Sequence, residues 1–266
     1  MSLPDTSPPD LGLTACAEIV RRGDPDRFLA TMAAPPSARA VLFPLYAFNL
    51  EVARAPWMVS EPIMAEMRLQ FWRDVAADMA AGKPPRAHQV AAPLGAAIPP
   101  ECAGLLEGLI AARWWDISRD PFEDAAHFDA YIDATSGNLV WAAARALGAG
   151  PGAEAPIRAL GFAAGIAGLL RAVPDLEARG RVPLLDGTPQ GVRALAERGL
   201  AKWAEGRAGR RAIAPGARPA LLALWRTKTT LTAARDIPER VIDGALDESE
   251  FSRRGRLLWA QLKGGI

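Results

Sequence analysis

Apolar residues recur every three or four positions along almost the whole chain. Met64, Met67, Phe71, Val75 and Met79 form one stripe. Leu106, Leu109, Ile110, Trp114 and Ile117 form a second, with Arg113 on its margin, and Phe162, Ile166, Leu169, Leu170 and Val173 a third. Residues at i, i+3 and i+4 share one face of an α-helix, so this is helical period. Alternating runs rich in Val, Ile and Thr are nearly absent, and no sheet is expected. Prolines, among them Pro35-Pro36, Pro62, Pro84-Pro85, Pro99-Pro100, Pro151, Pro189 and Pro238, fall between the periodic stretches or at first turns, where a missing N–H costs least. The spacing predicts helices over 11–22, 24–33, 37–55, 62–81, 87–97, 101–119, 125–147, 154–173, 189–207, 217–235 and 247–263, and a loop over 179–188. The fold class is therefore all-α: one multi-helix bundle over 11–266, preceded by a flexible Pro- and Asp-rich segment over 1–10.

Composition narrows the function. Half of the 266 residues are hydrophobic, enough for a sizeable core. The 31 basic and 30 acidic residues leave a formal charge of +1, so no global basic field exists to hold nucleic acid. Cys16 and Cys102 are far apart and form no CxxC, which reads as two buried thiols in a reducing compartment. His88 and His127 have no second His or Cys at ligand spacing. No GxSxG, GxGxxG or Walker loop occurs. The start of the chain has neither the basic nor the apolar part of a signal peptide. The most apolar stretch, 157–173, is broken by Arg158 and Arg171, short of the roughly 20 residues of a membrane span. These features predict a cytoplasmic protein.

Several motifs carry a family likeness. Asp24-Pro25-Asp26-Arg27-Phe28 is followed by Phe43-Pro44-Leu45-Tyr46-Ala47-Phe48. Then come Arg68-Leu69-Gln70-Phe71-Trp72-Arg73-Asp74, Tyr131 with Thr135-Ser136-Gly137-Asn138, and a glycine-bearing helix ending in Gly180-Arg181-Val182. In order and spacing, over roughly residues 11–190, the chain resembles the squalene/phytoene synthases, which join two prenyl diphosphates. The resemblance implies the isoprenoid synthase type of helical bundle. In that family two DxxxD pairs on facing helices hold magnesium ions, which neutralise the departing diphosphate while an apolar cavity shelters the carbocation. Here the first pair's positions fall on Ala53, Arg54 and Trp57, with Pro56 expected to end or kink the helix. Those of the second fall on Ala172 and Leu176, beside a matching Arg171 and Val173. Glu51, Asp175 and Glu177 lie nearby without forming a clean i,i+4 pair. Other DxxxD strings (Asp74/Asp78, Asp116/Asp120, Asp129/Asp133, Asp243/Asp247) read as exposed helix faces, with Asp74 and Asp116 as buried ion-pair partners.

The family contains a branch without the acidic motifs that acts in assembly of respiratory complex I. The resemblance therefore implies a non-catalytic protein with complex I subunits as partners, at the inner membrane's periphery. Two alternatives stand beside it: a prenyltransferase condensing two prenyl diphosphates with magnesium, and a module that binds an isoprenoid or lipid. No catalytic residue, cofactor or metal ligand is assigned. The candidate pocket or anion-binding residues are Tyr46, Phe48, Arg54, Arg68, Gln70, Arg171 and Arg181. Guanidinium groups bind phosphate or carboxylate through paired donors; equally, these arginines could pair internally with Glu51, Asp74, Asp116 and Asp175. An apolar pocket is expected between the helices carrying Tyr46–Phe48 and Phe162–Val173, with Arg54 and Arg171 near one mouth. The competing outcome is collapse around Trp57 or Trp72. Gly161, Gly165 and Gly168 would serve close helix packing or widen that cavity. Finally, 251–263 is amphipathic, with Phe251, Leu257, Leu258, Trp259 and Leu262 among Arg253, Arg254, Arg256 and Lys263. It would pack on the body with its arginines outward or lie on anionic lipid.

Overall fold

Thirteen stretches of α-helix, joined by short turns and 3₁₀ segments, follow one another with no strand among the described residues. The computed structural model describes residues 12–58, 61–247 and 250–262; the segment 1–10 lies outside them. The helices are α1 (Leu13–Gly23), α2 (Pro25–Ala33), α3 (Pro36–Arg54), α4 (Pro62–Ala80), α5 (Ala91–Ala97), α6 (Ala103–Ser118) and α7 (Ala125–Ile132). There follow α8 (Asn138–Ala146), α9 (Glu154–Ala178), α10 (Pro189–Ala208), α11 (Thr227–Asp236), α12 (Glu239–Ile242) and α13 (Glu250–Leu262). Proline opens α2, α3, α4 and α10. Asp24, Asp124 and Thr188 cap α2, α7 and α10 by accepting backbone N–H bonds at 2.9, 2.8 and 3.1 Å.

Some predicted boundaries move, for identifiable reasons. The 87–97 helix begins only at Ala91, because His88 Nδ1 accepts from the Val90 and Ala91 amides and holds the preceding residues in turns. The 125–147 helix is interrupted by a π-helical turn, Asp133–Gly137. The 154–173 helix does not stop at Pro174 but runs through it to Ala178. The 217–235 helix divides into a 3₁₀ stretch, Pro215–Leu224, containing Pro219, and α11. On α4 the buried face is Ala65, Leu69, Trp72, Val75, Ala76 and Met79, whereas Met64 and Met67 are 45% and 61% exposed. The stripe traced from Met64 thus begins on the wrong side: burying Leu69 and Trp72 turns the first methionines to solvent.

The long helix α9 is central and packs against α8, α10, α11 and the π turn. Its approach to the π turn requires glycine. A Cβ at Gly161 would lie 3.0 Å from Gly137 Cα, and one at Gly165 would lie 2.7 Å from Ile132 Cγ2 and 2.8 Å from Ser136 Cβ. Ser136 Oγ donates to the Gly161 carbonyl at 2.7 Å and fixes that contact. A single apolar cluster runs from Cys16 on α1 to Leu257 on α13.

Candidate functional site

One turn beyond Gly165 the close approach ends. Around a Cβ placed at Gly168 nothing lies within 4 Å, and the space is a cavity of about 250 Å³. Asn49 of α3, Ile132 of α7, Thr135 and Ser136 of the π turn, and Ala164, Gly165, Leu169, Ala172 and Leu176 of α9 contribute to its wall. A second space of about 150 Å³ adjoins it, sharing Arg27, Ser136, Leu139, Ala164 and Gly168. The glycine series therefore does both things expected of it, packing at 161 and 165 and opening a cavity at 168.

The mouth of the larger cavity is built from aromatic rings and guanidinium groups. Arg181, buried in the loop after α9, lies 4.5 Å from the Trp115 ring centroid and 5.8 Å from that of Trp57; Arg179 covers Trp57 at 5.4 Å. Beneath this stack Asp116 is buried on α6. Its carboxylate faces Arg113 at 3.0 Å and Arg181 at 3.4 Å and accepts from the Tyr131 hydroxyl at 3.0 Å. Arg181 also donates to the Asp116 carbonyl at 3.2 Å. Burial raises the Tyr131 phenol well above its usual range, although Arg113 and Arg181 oppose that shift, so it stays a neutral hydroxyl. The cavity wall holds three guanidinium groups, Arg27, Arg113 and Arg181, against the one carboxylate of Asp116.

A second charged cluster borders the smaller space. Asp26, at the N-terminal turn of α2, receives Arg226 and Arg253, with Arg171 at 3.4 Å. Asp247 joins them, 2.6 Å from Arg226 and 3.5 Å from Arg171. Burial alone would push both carboxyls up. The bonds from Arg226 to each, and from Arg253 to Asp26, outweigh it and hold both below the ordinary aspartate range. Arg171 is shifted downward, chiefly by burial and then by Arg226.

The residues proposed from sequence separate into three groups. Arg181 lines the larger cavity, and Tyr46 and Arg171 the smaller one. Tyr46 is buried beneath the Arg27 guanidinium, 5.0 Å from its ring centroid, and burial pushes its phenol up to about 12. Phe48 lines neither space; it packs edge-on against Trp72 at 5.2 Å, so Trp72 fills core and not cavity. Arg54, Arg68 and Gln70 lie on the outside. Arg54 rests over Gly23, and Gln70 donates to Asp74 at 2.7 Å. Arg54 and Arg171 therefore share no mouth. The helix turns Ala55 and Pro56 inward at that point and leaves Arg54 in solvent. Internal pairing holds for Arg181 with Asp116, but Arg171 pairs with Asp26 and Asp247, not with Asp175. Asp74 is on the surface beside Arg86, not buried. Trp57 sits at the mouth without closing the cavity. Asp26, Arg27, Arg113, Arg226 and Arg253 were not among the candidate site residues read from the sequence, although all but Arg226 lie in stretches singled out there. Arg113 carried a local signal, a charge at the edge of an apolar stripe three residues before Asp116; the Asp26 partners come from more than a hundred residues away and had none.

A magnesium ion does not fit this mouth. Of the positions to which the resemblance assigns the family's carboxylates, Trp57, Ala172 and Leu176 line it, with Arg181 beside them, whereas Ala53 and Arg54 do not. The lone carboxylate there, Asp116, is already engaged by two guanidinium groups and a phenol. Hard divalent cations require several free oxygen ligands.

Comparison with known proteins follows the same outline. The family model for squalene/phytoene synthase matches residues 20–184. The complex I assembly factor 6 of Bos taurus is 30% identical over 171 residues, covering 63% of this chain and 51% of that protein. The Homo sapiens protein is 29% identical over the same extent, and a Drosophila melanogaster homolog 40% identical over 67 residues, 24% of this chain and 19% of that one. The matched region thus spans about half the length of the mammalian relatives. Among solved structures, a dehydrosqualene synthase in complex with ligand superposes with a TM-score of 0.80 at 15% identity, over 95% of this chain and 96% of that one, a likeness of fold.

Proposed function

The chain belongs to the squalene/phytoene synthase family, and from that premise we propose that it is a non-catalytic member acting in the assembly of respiratory complex I. The observation that carries this reading is the mouth of the cavity. Where the family's chemistry needs carboxylates for a metal, this protein has Trp57, Ala172 and Leu176 around a buried guanidinium. Such a mouth favours an anion and disfavours the cation that would have to accompany a diphosphate. The likeness to complex I assembly factor 6 supports the biological role, with complex I subunits as the partners. The test is genetic. In a complex I-containing host lacking its own copy, native gels of the membranes should show loss of assembled complex I, restored by this chain. Full assembly without the gene would refute the role. Purified protein incubated with labelled prenyl diphosphate and magnesium should form no condensed hydrocarbon; robust turnover lost on mutating Glu51 or Asp175 would establish the prenyltransferase alternative.

The cavity favours a second reading beside the first, an apolar ligand with an acidic head. Its walls are apolar along α9, and its guanidinium groups outnumber its carboxylate. Native mass spectrometry of protein purified without added ligand would show a retained isoprenoid or lipid mass, and a bare chain mass would exclude it.

A further inference from the structure

From Gly206 to Arg235 the chain has no acidic residue, and Arg207, Arg210, Arg211 and Arg218 crowd the first half of that run. They sit at the end of α10, on the 3₁₀ turn Gly209–Ala212 and at the head of the stretch Pro215–Leu224. Both ends of this segment press onto one place, the connection between α8 and α9. A Cβ at Gly206 would lie 2.6 Å from the Pro156 carbonyl oxygen, one at Gly209 2.5 Å from Pro156 Cβ, and one at Gly216 3.6 Å from the Leu147 carbonyl oxygen. Between them the Ile213 and Ala217 amides donate to the Arg210 and Ala214 carbonyls at 3.1 and 3.0 Å, closing two tight turns. The arginines are therefore neighbours: burial, and then the charges of Arg218 and Arg207, lower the Arg210 guanidinium below its ordinary range. The carboxylates of this end are already taken, Glu205 by Lys202 at 2.8 Å and Glu154 by Arg158 at 2.7 Å. Arg210 engages other groups, but Arg207, Arg211 and Arg218 have no ion-pair partner among the described residues. The negative end of the α10 dipole supports Arg207. Arg218 has no such support, because it stands at the N-terminal end of its own 3₁₀ stretch. Its Nε is buried with no acceptor beside it, so packing fixes the stem while the charge stays uncompensated.

We propose that Arg207, Arg211 and Arg218 form a docking surface for an acidic peptide segment of a partner protein. The occupant follows from charge complementarity and from what accompanies the charges. Guanidinium forks pair with carboxylates in a fixed geometry. Arg207 and Arg211 are exposed and Arg218 is half-buried, and the exposed residues among them are small: Ala208, Ala212, Ala214, Pro215 and Gly216. An extended chain can lie close to such a surface. None of the exposed large apolar side chains of the described residues is here, which removes the insertion that holds a helix on a bilayer. Trp203, the aromatic residue at hand, is buried, so no ring is offered for a nucleic-acid base to stack on. This inference is independent of the role in complex I assembly.

The experiment is fluorescence anisotropy of labelled octaglutamate and octaglutamine peptides titrated with the full chain. Octaglutamate is expected to bind, more weakly as salt rises because screening shortens the reach of the charges, and octaglutamine is not. R207Q/R211Q/R218Q should weaken the binding by at least about threefold, the least that three lost exposed ion pairs predict. R21Q/R22Q/R240Q removes the same charge from α1 and α12 and should leave it unchanged. R207E/R211E/R218E should lose octaglutamate and bind octalysine in its place. R211Q alone, at an exposed side chain, should weaken binding in the same direction and keeps the test open if a triple variant fails to fold, which thermal melting reports. No binding of octaglutamate, equal binding of octaglutamine, or equal loss in the two triple glutamine variants would overturn the proposal. Tighter binding of a single-stranded oligonucleotide of equal charge, lost in R207Q/R211Q/R218Q, would overturn it in favour of nucleic acid. Co-sedimentation with anionic vesicles, lost in the same variant, would overturn it in favour of lipid.

Discussion

Two glycines about 4.5 Å of helix apart should respond oppositely to the same added methyl group, and the pair measures how α9 shapes its cavity. At Gly165 a new Cβ would lie 2.7 Å from Ile132 Cγ2 and 2.8 Å from Ser136 Cβ. Carbon atoms rest at about 3.5–4.0 Å, so something must move by nearly an ångström. Neither neighbour yields easily: Ile132 is fully buried, and Ser136 is tied to the Gly161 carbonyl. Overpacking of this kind costs about 1–3 kcal/mol, against a gain of about 1 kcal/mol from alanine's better helix propensity. Gly165→Ala should therefore be destabilising by up to about 2 kcal/mol. At Gly168 the new methyl meets nothing within 4 Å, so the propensity gain of about 1 kcal/mol stands alone. The two variants should differ by about 1–3 kcal/mol, or roughly 2–12 °C in Tm for a chain of this size. Urea and thermal denaturation of both proteins test this. Shifts of the same sign would mean that the wall at 165 and the opening at 168 are not as described.

Further outcomes follow from the charged clusters and the thiols. Asp116→Ala strands Arg113 and Arg181 beside each other in a buried site and should cost about 3–5 kcal/mol, whereas Asp74→Ala, on the surface, should stay within about 1 kcal/mol; urea midpoints distinguish them. Asp26 has its carboxyl lowered in the folded protein, so its ion pairs stabilise above the ordinary aspartate pKa and are lost as pH falls through the depressed value. The Tm difference between wild type and Asp26→Asn should thus be full near about pH 6 and shrink below about pH 4; a constant difference would contradict the assignment. Cys102 is buried and its thiol is pushed up to about 11, chiefly by burial and then by Glu101. With Cys16 also buried, neither should react with a disulfide reagent in the native state, and both should in denaturant; prompt labelling would show that one is accessible.

Much of the helical layout could be read from the sequence because helix period and proline placement are local signals. The α2, α4 and α10 starts at Pro25, Pro62 and Pro189 are examples. The exceptions involve longer range. Pro174 sits inside α9 because packing against α12 and the core outweighs a lost hydrogen bond. The π turn at Asp133–Gly137 has no compositional mark, since it exists to fit α9 at Gly161 and Gly165. At the site, the family motifs located α3, α9 and Arg181 but misplaced Arg54, Arg68 and Gln70. Which way an arginine on a helix faces depends on its neighbours' bulk, and Leu69 and Trp72 claim the inside of α4. The Asp26 cluster joins residues from α2, α9, the start of α11 and α13, so no window of sequence could contain it.

The stack of Trp57, Arg181 and Trp115 makes the cavity mouth resistant to acquiring carboxylates one at a time. Trp57→Asp would remove the ring that covers both Arg179 and Arg181, contacts worth about 0.5–2 kcal/mol each. The new carboxylate would then be met by the Arg181 guanidinium before any metal. Carboxylates at 172 and 176 would enter a wall that already holds Arg27, Arg113 and Arg181, and would be neutralised in the same way. Each single step toward an acidic mouth loses packing, and none gains a cation until several carboxylates are in place and the arginine is gone. The mouth acts as a ratchet against single substitutions, because each first carboxylate placed there meets a guanidinium group before it can meet a metal.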